Sequence, residues 1–273
     1  MLHSRLRGGS ANTGPGVAGF LRETFARVRQ AGVTGPLVMR ADSGFYSRNT
    51  IATCRKHGVR FSITARMTKD LYKVISAIPE EAWTPITYWS STGTFGLDEQ
   101  GEPISGADVA EIPYVTLGKK GIKVRLIVRR VRPTPESQLA LFTEFSYHPL
   151  VTDREGSTLE LEVDHRAHAN VEVVIRDLKE GAGLAHLPSG RFSANAAWLA
   201  FCVLAHNLAR WVTSIGLSGR IPDRTTNDRL RRRPLSMPGR LTRSSRQRTL
   251  HLPRNWPWQA LFLTALTQLR AIT

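Results

Sequence analysis

Cysteine is scarce: Cys54 and Cys202 are the only two in 273 residues. They stand far apart and outside any CxxC-like pair, which excludes a disulfide scaffold and a cysteine zinc site. The basic start MLHSRLRGGS leads into no apolar run, so it does not read as a secretory signal. The longest apolar stretch, residues 194–205, is about twelve residues, short of the roughly 20 that a spanning helix needs. These absences predict a protein of a reducing compartment, cytoplasmic and without a membrane partner. Several catalytic signatures are missing as well. The glycine-rich segment GGSANTGPG (8–16) lacks the GxxxxGK[ST] pattern of a phosphate cradle. There is no Rossmann fingerprint, no GxSxG and no HExxH, and no internal repeat or low-complexity stretch.

Acidic residues are few against the 38 Lys and Arg: 22 Asp and Glu leave a formal charge of +16. Such a field favours polyanions, nucleic acid first and an anionic membrane surface second. The excess is concentrated. From residue 216 to the end, twelve arginines face Asp223 and Asp228, which gives +10 of the +16, and lysine is absent from the segment. The planar guanidinium forks onto phosphate oxygens better than an ammonium does. Apolar residues interleave the charges (Leu230, Leu235, Met237, Leu241, Leu250, Leu252, Trp256, Trp258). That texture predicts a folded or docking extension gripping a nucleic-acid backbone, with Arg231, Arg232 and Arg233 foremost, where a solvated tail is the plainer reading.

Along the chain, residues 2–7 suit a short strand. Thr13 is placed to cap a helix over 16–31 that Gly32 ends. Residues 36–42 read as a buried strand ending at Asp42, followed by a helix over 48–57 and a strand over 60–65. That order implies a parallel α/β sheet. Between 68 and 160 the pattern becomes β-rich, with runs at 112–117, 122–131 and 138–147 and a hairpin turn at GKKG (118–121). A helix over 164–180 carries Val171, Val174, Ile175 and Leu178 as one apolar stripe. Beside it His165, His168, Glu172, Arg176 and Lys179 form a second, polar stripe. A helix over 193–213, capped by Ser193, points Trp198, Phe201, Cys202, Ala205, Leu208 and Val212 inward. The chain thus divides into 1–67, a β-rich insertion 68–160, a helical part 161–215, and a basic extension 216–273.

Asp42 sits where open α/β sheets gather functional groups, at the carboxyl end of a strand. With Glu172 it makes a spaced carboxylate pair, the kind of oxygen set that holds Mg²⁺ or Mn²⁺ for phosphodiester chemistry. The plainer readings are a loop cap for Asp42 and a surface partner of Arg176 for Glu172. His165, His168 and Glu172 also have helical spacing for a transition metal, while cations contacting substrate phosphate fit the same stripe.

Three blocks at these residues resemble DDE transposases of bacterial insertion sequences, in the group with a β-rich insertion before the last acid. RLRGGSANTGPG (5–16) resembles the segment after the group's third strand. VMRADSGFYS (38–47) resembles the strand of the second catalytic acid, which would be Asp42. HRAHANVEVVIRDLKEGAGLAHLPSGRFSANAAWLAFCVLAHNLARW (165–211) resembles the helix of the third, which would be Glu172. The wider clan's Tyr-x2-Arg-x3-Glu-x6-Lys signature is matched by Glu172 and Lys179, with His165 and His168 standing in for Tyr and Arg. The tail over 229–258 is similar as well. The resemblance implies an RNase H-like core and Mg²⁺- or Mn²⁺-dependent strand cleavage and transfer. It also implies double-stranded DNA partners, both element ends and target, and a homodimer or larger complex associated with the nucleoid. It further implies a first catalytic Asp on a central strand. Glu23 is the one acid ahead of Asp42 and falls inside the helix over 16–31. The expectation is therefore an N-terminally truncated copy, inert alone, with an unpaired edge on the Asp42 strand. The competing reading is a non-catalytic basic DNA- or RNA-binding protein whose two acids are structural.

Overall fold

Val17, Leu21 and Phe25 recur every fourth residue, and they are the buried line of the first helix, α1 (Val17–Gln30). Gly16, at φ 78°, supplies the left-handed turn that starts it. The computed structural model describes residues 1–9, 14–86, 106–116, 121–133, 145–167, 170–223 and 225–272. They fall into two compact units, Gly8–Ala169 and Met1–Arg7 with Asn170–Thr273. Thr13 and most of the GKKG turn lie outside the described residues.

In the Gly8–Ala169 unit, β1 (Val38–Ala41) is followed by α2 (Arg48–Lys56), β2 (Arg60–Thr64) and α3 (Lys69–Ser76). Ser47 caps α2 by accepting the Thr50 N–H at 3.1 Å, and Thr68 caps α3, a helix not expected in the β-rich stretch, by accepting that of Leu71 at 3.2 Å. β1 and β2 pair in parallel, as a strand–helix–strand run requires. Then come β3 (Thr84–Ile86), β4 (Ala107–Thr116), β5 (Ile122–Val131) and β6 (Ser146–Thr152). These later strands build no separate sheet. β6 inserts between β2 and β5, giving one mixed sheet in the order β1-β2-β6-β5-β4-β3 with β1 at an edge. The β4–β5 hairpin is present. The third run is shifted: β6 starts at Ser146, and residues 138–144 lie outside the described part.

Two apolar layers sandwich this sheet. One side joins Leu21, Phe25, Ile51, Cys54, Leu71 and Ile75 from α1–α3 to Phe61, Ile63, Leu126 and Val151. The other sets Leu161 of α4 (Thr158–Arg166) on Ile127, Leu150 and Val109. β5 therefore buries both faces at its centre, where alternation alone suggested one. Cys54 is one of the fully buried residues, and burial pushes its thiol up to about 12, leaving it an inert hydrophobe.

The other unit begins with α5 (Asn170–Gly181) and α6 (Phe192–Trp211), the latter continuing as a π-helical turn, Val212–Gly216. After α7 (Asn227–Leu230) and a second π-helical turn, Arg231–Leu235, a ribbon of β7 (Arg240–Ser244) and β8 (Gln247–His251) leads to α8 (Gln259–Arg270). Leu217, Leu230 and Ala265 are its buried apolar centre. The basic extension is thus folded. Residues 2–7 form no strand; Met1 instead hydrogen-bonds Asn207 of α6, whose Nδ2 donates to the Met1 carbonyl at 2.8 Å.

Two helices differ from expectation. The single helix expected over 164–180 corresponds to two, α4 and α5, and α4 starts well upstream at the capping box of Ser157 and Glu160. On α6 the buried line is Asn195, Cys202 and His206, with Arg191 at the N-cap, while Phe201, Leu208 and Trp211 are exposed. Hydrogen bonding selects that line: Asn195 both donates to and accepts from the Ser189 backbone. The unbroken run Phe192–Gly216 is 25 residues and, by length and composition, long and apolar enough to cross a membrane. The count over 194–205 missed this because it stopped at the first polar residues.

Candidate functional site

Asp42 follows β1 directly, at the carboxyl end of the β1–β2 pair. Its Oδ1 accepts the Gly44 N–H at 2.9 Å, capping a single 3₁₀ turn, Ser43–Phe45. The carboxylate is exposed and, among the described residues, its second oxygen has no partner. So Asp42 is a loop cap and a free oxygen donor at once. Nearby Tyr46 is half-buried, and burial pushes its phenol up to about 12, with Tyr114 adding to the rise.

The strand face that bears Arg40 is covered by α4. Arg40 pairs with Ser62 in register, and the Ser62 hydroxyl meets His165 Nδ1 at 2.8 Å. Thr64 Oγ1 meets His165 Nε2 at 3.0 Å. Both imidazole nitrogens are therefore occupied by β2 hydroxyls, and His165 reads as a bolt between helix and sheet. The neighbouring Asp164 takes Arg40 Nη1 on Oδ1 at 3.1 Å and Arg154 on Oδ2. Sequence reasoning passed over Asp164 and Arg40; the capping box at Ser157 would have placed Asp164 on a helix, and Arg40 already lay on the predicted strand.

Glu172 lies in the first turn of α5, in the other unit, exposed and without a partner among the described residues. A carboxylate there is favoured by the helix dipole. Arg176 and Lys179 extend the same face at i+4 and i+7. His168 lies outside the described residues. Because α4 ends before α5 begins, His165 does not share a helix with Glu172, Arg176 and Lys179. The apolar stripe is also reduced: Leu178 is buried, whereas Val171, Val174 and Ile175 are exposed.

Arg176 and Arg232 come together. With Val173, Asp177, Glu180, Gly181, Thr226 and Asp228 they line a cleft of about 300 Å³. Arg231 and Arg232 both reach Asp228 Oδ1, at 3.2 and 2.9 Å, and Arg233 stacks on the Trp258 ring at 5.1 Å. The arginine triplet is thus oriented by one aspartate and one indole, with donors left over on exposed side chains. Beneath it Asp177, buried, accepts the Asn227 N–H at 2.8 Å and holds α7 against α5.

The donor chemistry suits a hard divalent cation: Asp42 and Glu172 are exposed carboxylates with unclaimed oxygens. Within either unit, among the described residues, no three His, Cys, Asp or Glu side chains converge as a ready metal site. Each acid is therefore a partial ligand set.

An exposed aspartate closes a parallel strand pair in one unit, and in the other a helix carrying glutamate, arginine and lysine on one face precedes an arginine-rich segment. By comparison with protein families, the chain belongs to the transposase DDE domain group 1 family, whose model matches residues 1–273. No curated protein matches it. Members of this family act on DNA through divalent metal ions, and the family places the chain among transposases.

Proposed function

We propose that this chain is the transposase of a bacterial insertion sequence, binding element-end and target DNA, with Asp42 and Glu172 as its metal-holding carboxylates. These carboxylates would hold Mg²⁺ or Mn²⁺, which would supply activation of a water or 3′-hydroxyl and neutralise charge on the leaving phosphodiester oxygen. Asp42 would offer its unpaired oxygen while its capping bond to Gly44 fixes the carboxylate plane. Glu172 would act from the first turn of α5, with Arg176 and Lys179 on the same face to meet phosphate oxygens. The single observation that carries the reading is Asp42 itself: an exposed carboxylate at a strand end, half engaged and half free.

The first acid of the family's trio has no counterpart ahead of Asp42. Glu23 lies within α1, at no strand end. The proposal is accordingly that this chain, on its own, binds DNA and metal yet does not cleave. Supercoiled plasmid incubated with the chain and Mn²⁺ should stay closed, while Mn²⁺ binding followed by electron paramagnetic resonance should weaken in Asp42→Ala and again in Glu172→Ala. Nicking that vanishes in both variants would overturn the inert reading and keep the acids. Mn²⁺ binding indifferent to both would favour the non-catalytic nucleic-acid binder instead.

A further inference from the structure

Among the described residues the β7–β8 ribbon is a sheet of two strands. Its residues are exposed on both faces, Thr242 alone being half-covered. Ser245, at φ 53°, turns the chain between the strands. The register sets Leu241 opposite Leu250 and Arg243 opposite Arg248, and these two pairs share a face. The other face carries Thr242 with Thr249 and Ser244 with Gln247, and it is internally bonded: Thr242 Oγ1 meets His251 Nε2 at 2.9 Å.

Two physical facts stand against such a ribbon in water. An isolated two-stranded hairpin is marginal at best, and like charges directly opposite one another destabilise it further. Among the described residues no acid pairs with Arg243 or Arg248, and Arg240 and Arg246 add two more positive charges to the same twelve residues. An anion on another molecule would compensate them.

We propose that this ribbon enters the major groove of double-stranded DNA, with the Arg243–Arg248 face toward the bases. The B-form major groove, about 12 Å wide, admits a two-stranded ribbon. Arginine forks onto guanine O6 and N7 there, and an apolar side chain meets the thymine methyl. Leu241 and Leu250 beside the arginine pair supply that second contact. The deep, narrow major groove of A-form RNA admits no such ribbon. The inference rests on the chain being a DNA-acting protein and adds the element and groove by which it reads duplex.

The test uses the full chain and fluorescence anisotropy on a 24-base-pair DNA duplex of mixed sequence. Two comparison duplexes are the matching RNA and a DNA duplex whose cytosines carry glucosylated hydroxymethyl groups that fill the major groove. Arg243→Gln with Arg248→Gln should weaken DNA binding about tenfold per arginine, and Gln247→Ala on the opposite face should leave it within about twofold. Relief of the repulsion means that the double variant melts no lower than the parent, so lost binding is not lost folding. Glucosylation should weaken the parent and leave the double variant unmoved. Parent-like binding by the double variant, or indifference of the parent to glucosylation, would overturn the ribbon assignment while leaving the transposase reading intact. Equal affinity for RNA would overturn the groove. Failure of the parent to bind any duplex would overturn both.

Discussion

Asn227 Nδ2 donates to His206 Nδ1 at 2.9 Å, and both side chains are buried between α6 and α7. An amide nitrogen only donates, so that imidazole nitrogen carries a lone pair and His206 is neutral. Burial holds its pKa below the ordinary histidine value, against the pull of Asp177, whose Oδ2 is 3.5 Å away. Protonation would evict Asn227 from Nδ1 and exchange the hydrogen bond for an ion pair with Asp177. The unfolded chain binds the proton more readily than the folded one, so this site's stability is complete above about pH 6.5 and is lost as pH falls toward the folded pKa. Urea midpoints measured from pH 8 to pH 5 should show that decline, and His206→Gln should flatten it. A decline that persists unchanged in the variant would mean that other groups cause it.

Gly181 closes α5 where space is shortest. An added Cβ would stand 2.8 Å from both Asn227 Cβ and Asp177 Oδ1 and 3.1 Å from the Asp228 nitrogen. Backbone and a buried clasp give way reluctantly, so Gly181→Ala should destabilise its unit by roughly 1–3 kcal/mol. Gly19, inside α1 with nothing nearer than 3.8 Å, is the control: Gly19→Ala should stabilise by roughly 0.5–1 kcal/mol. Thermal denaturation of the two variants checks the opposite signs.

Arg130 is held between two rings, its guanidinium carbon 4.4 Å from the centroids of both Trp83 and Phe145. Its Nε meets Asp108 Oδ2 at 2.8 Å, both side chains being buried, and its terminal nitrogens pair with Glu80. Arg130→Met keeps the volume and leaves the Asp108 carboxylate buried without a cation, which costs about 3–5 kcal/mol. Adding Asp108→Asn to that variant should recover part of the loss. Chemical denaturation of the single and double variants tests this, and a neutral single variant would refute the anchoring role.

Asp42 has two separable duties. Asp42→Asn retains an oxygen that can accept the Gly44 N–H, while Asp42→Ala removes the cap at a cost of about 0.5–2 kcal/mol. The melting temperature should therefore fall in the alanine variant and hold in the asparagine variant. Mn²⁺ affinity should fall in both. Unchanged Mn²⁺ affinity in Asp42→Asn would leave Asp42 a cap only.

A fourth charge relationship gives acid sensitivity to the sheet. The Arg125 fork on Glu111, 2.6 and 2.7 Å, holds that carboxyl below the usual range, with help from the Thr158 hydroxyl. A depressed folded pKa means stability that is present above about pH 4.5 and lost as pH falls through the folded value. Glu111→Gln should flatten the acid limb of the stability profile between pH 5 and 3, read by tryptophan fluorescence in urea. A limb equally steep in the variant would assign it elsewhere.

What the sequence made legible was whatever local chemistry decides. Val17, Leu21 and Phe25 mark their own buried face, whereas the helix that Thr68 caps was missed under the β-rich reading of its stretch. The parallel β1–β2 pair follows from a single helix between two short strands, and the free flank of β1 was expected on the family's strand order. What escaped was decided at long range. β6 pairs with β2 across some ninety positions, so the insertion joined the first sheet where composition alone suggested a body of its own. On α6 Cys202 is buried as expected, but Phe201 and Leu208 are exposed while Asn195 and His206 are buried with their hydrogen bonds, a choice hydrophobicity cannot register. The upstream start of α4 had a visible sign, Ser157 and Glu160 at capping-box spacing, overridden by the apolar periodicity farther on. Asp42 and Glu172, singled out as a carboxylate pair, are both exposed, and among the described residues neither has a full set of partners.

The strand that ends at Asp42 is hydrogen-bonded by β2 on one flank and by no described strand on the other. Amides turned toward that open flank exchange with deuterated solvent through fraying of four residues, where those in the middle of β2 must wait for a larger opening. The acid proposed to grip a cation therefore rides on an edge strand of its sheet. Cation binding and the ordering of β1 become one linked equilibrium, so added Mn²⁺ should slow deuterium uptake across Val38–Ala41 before it alters any other strand.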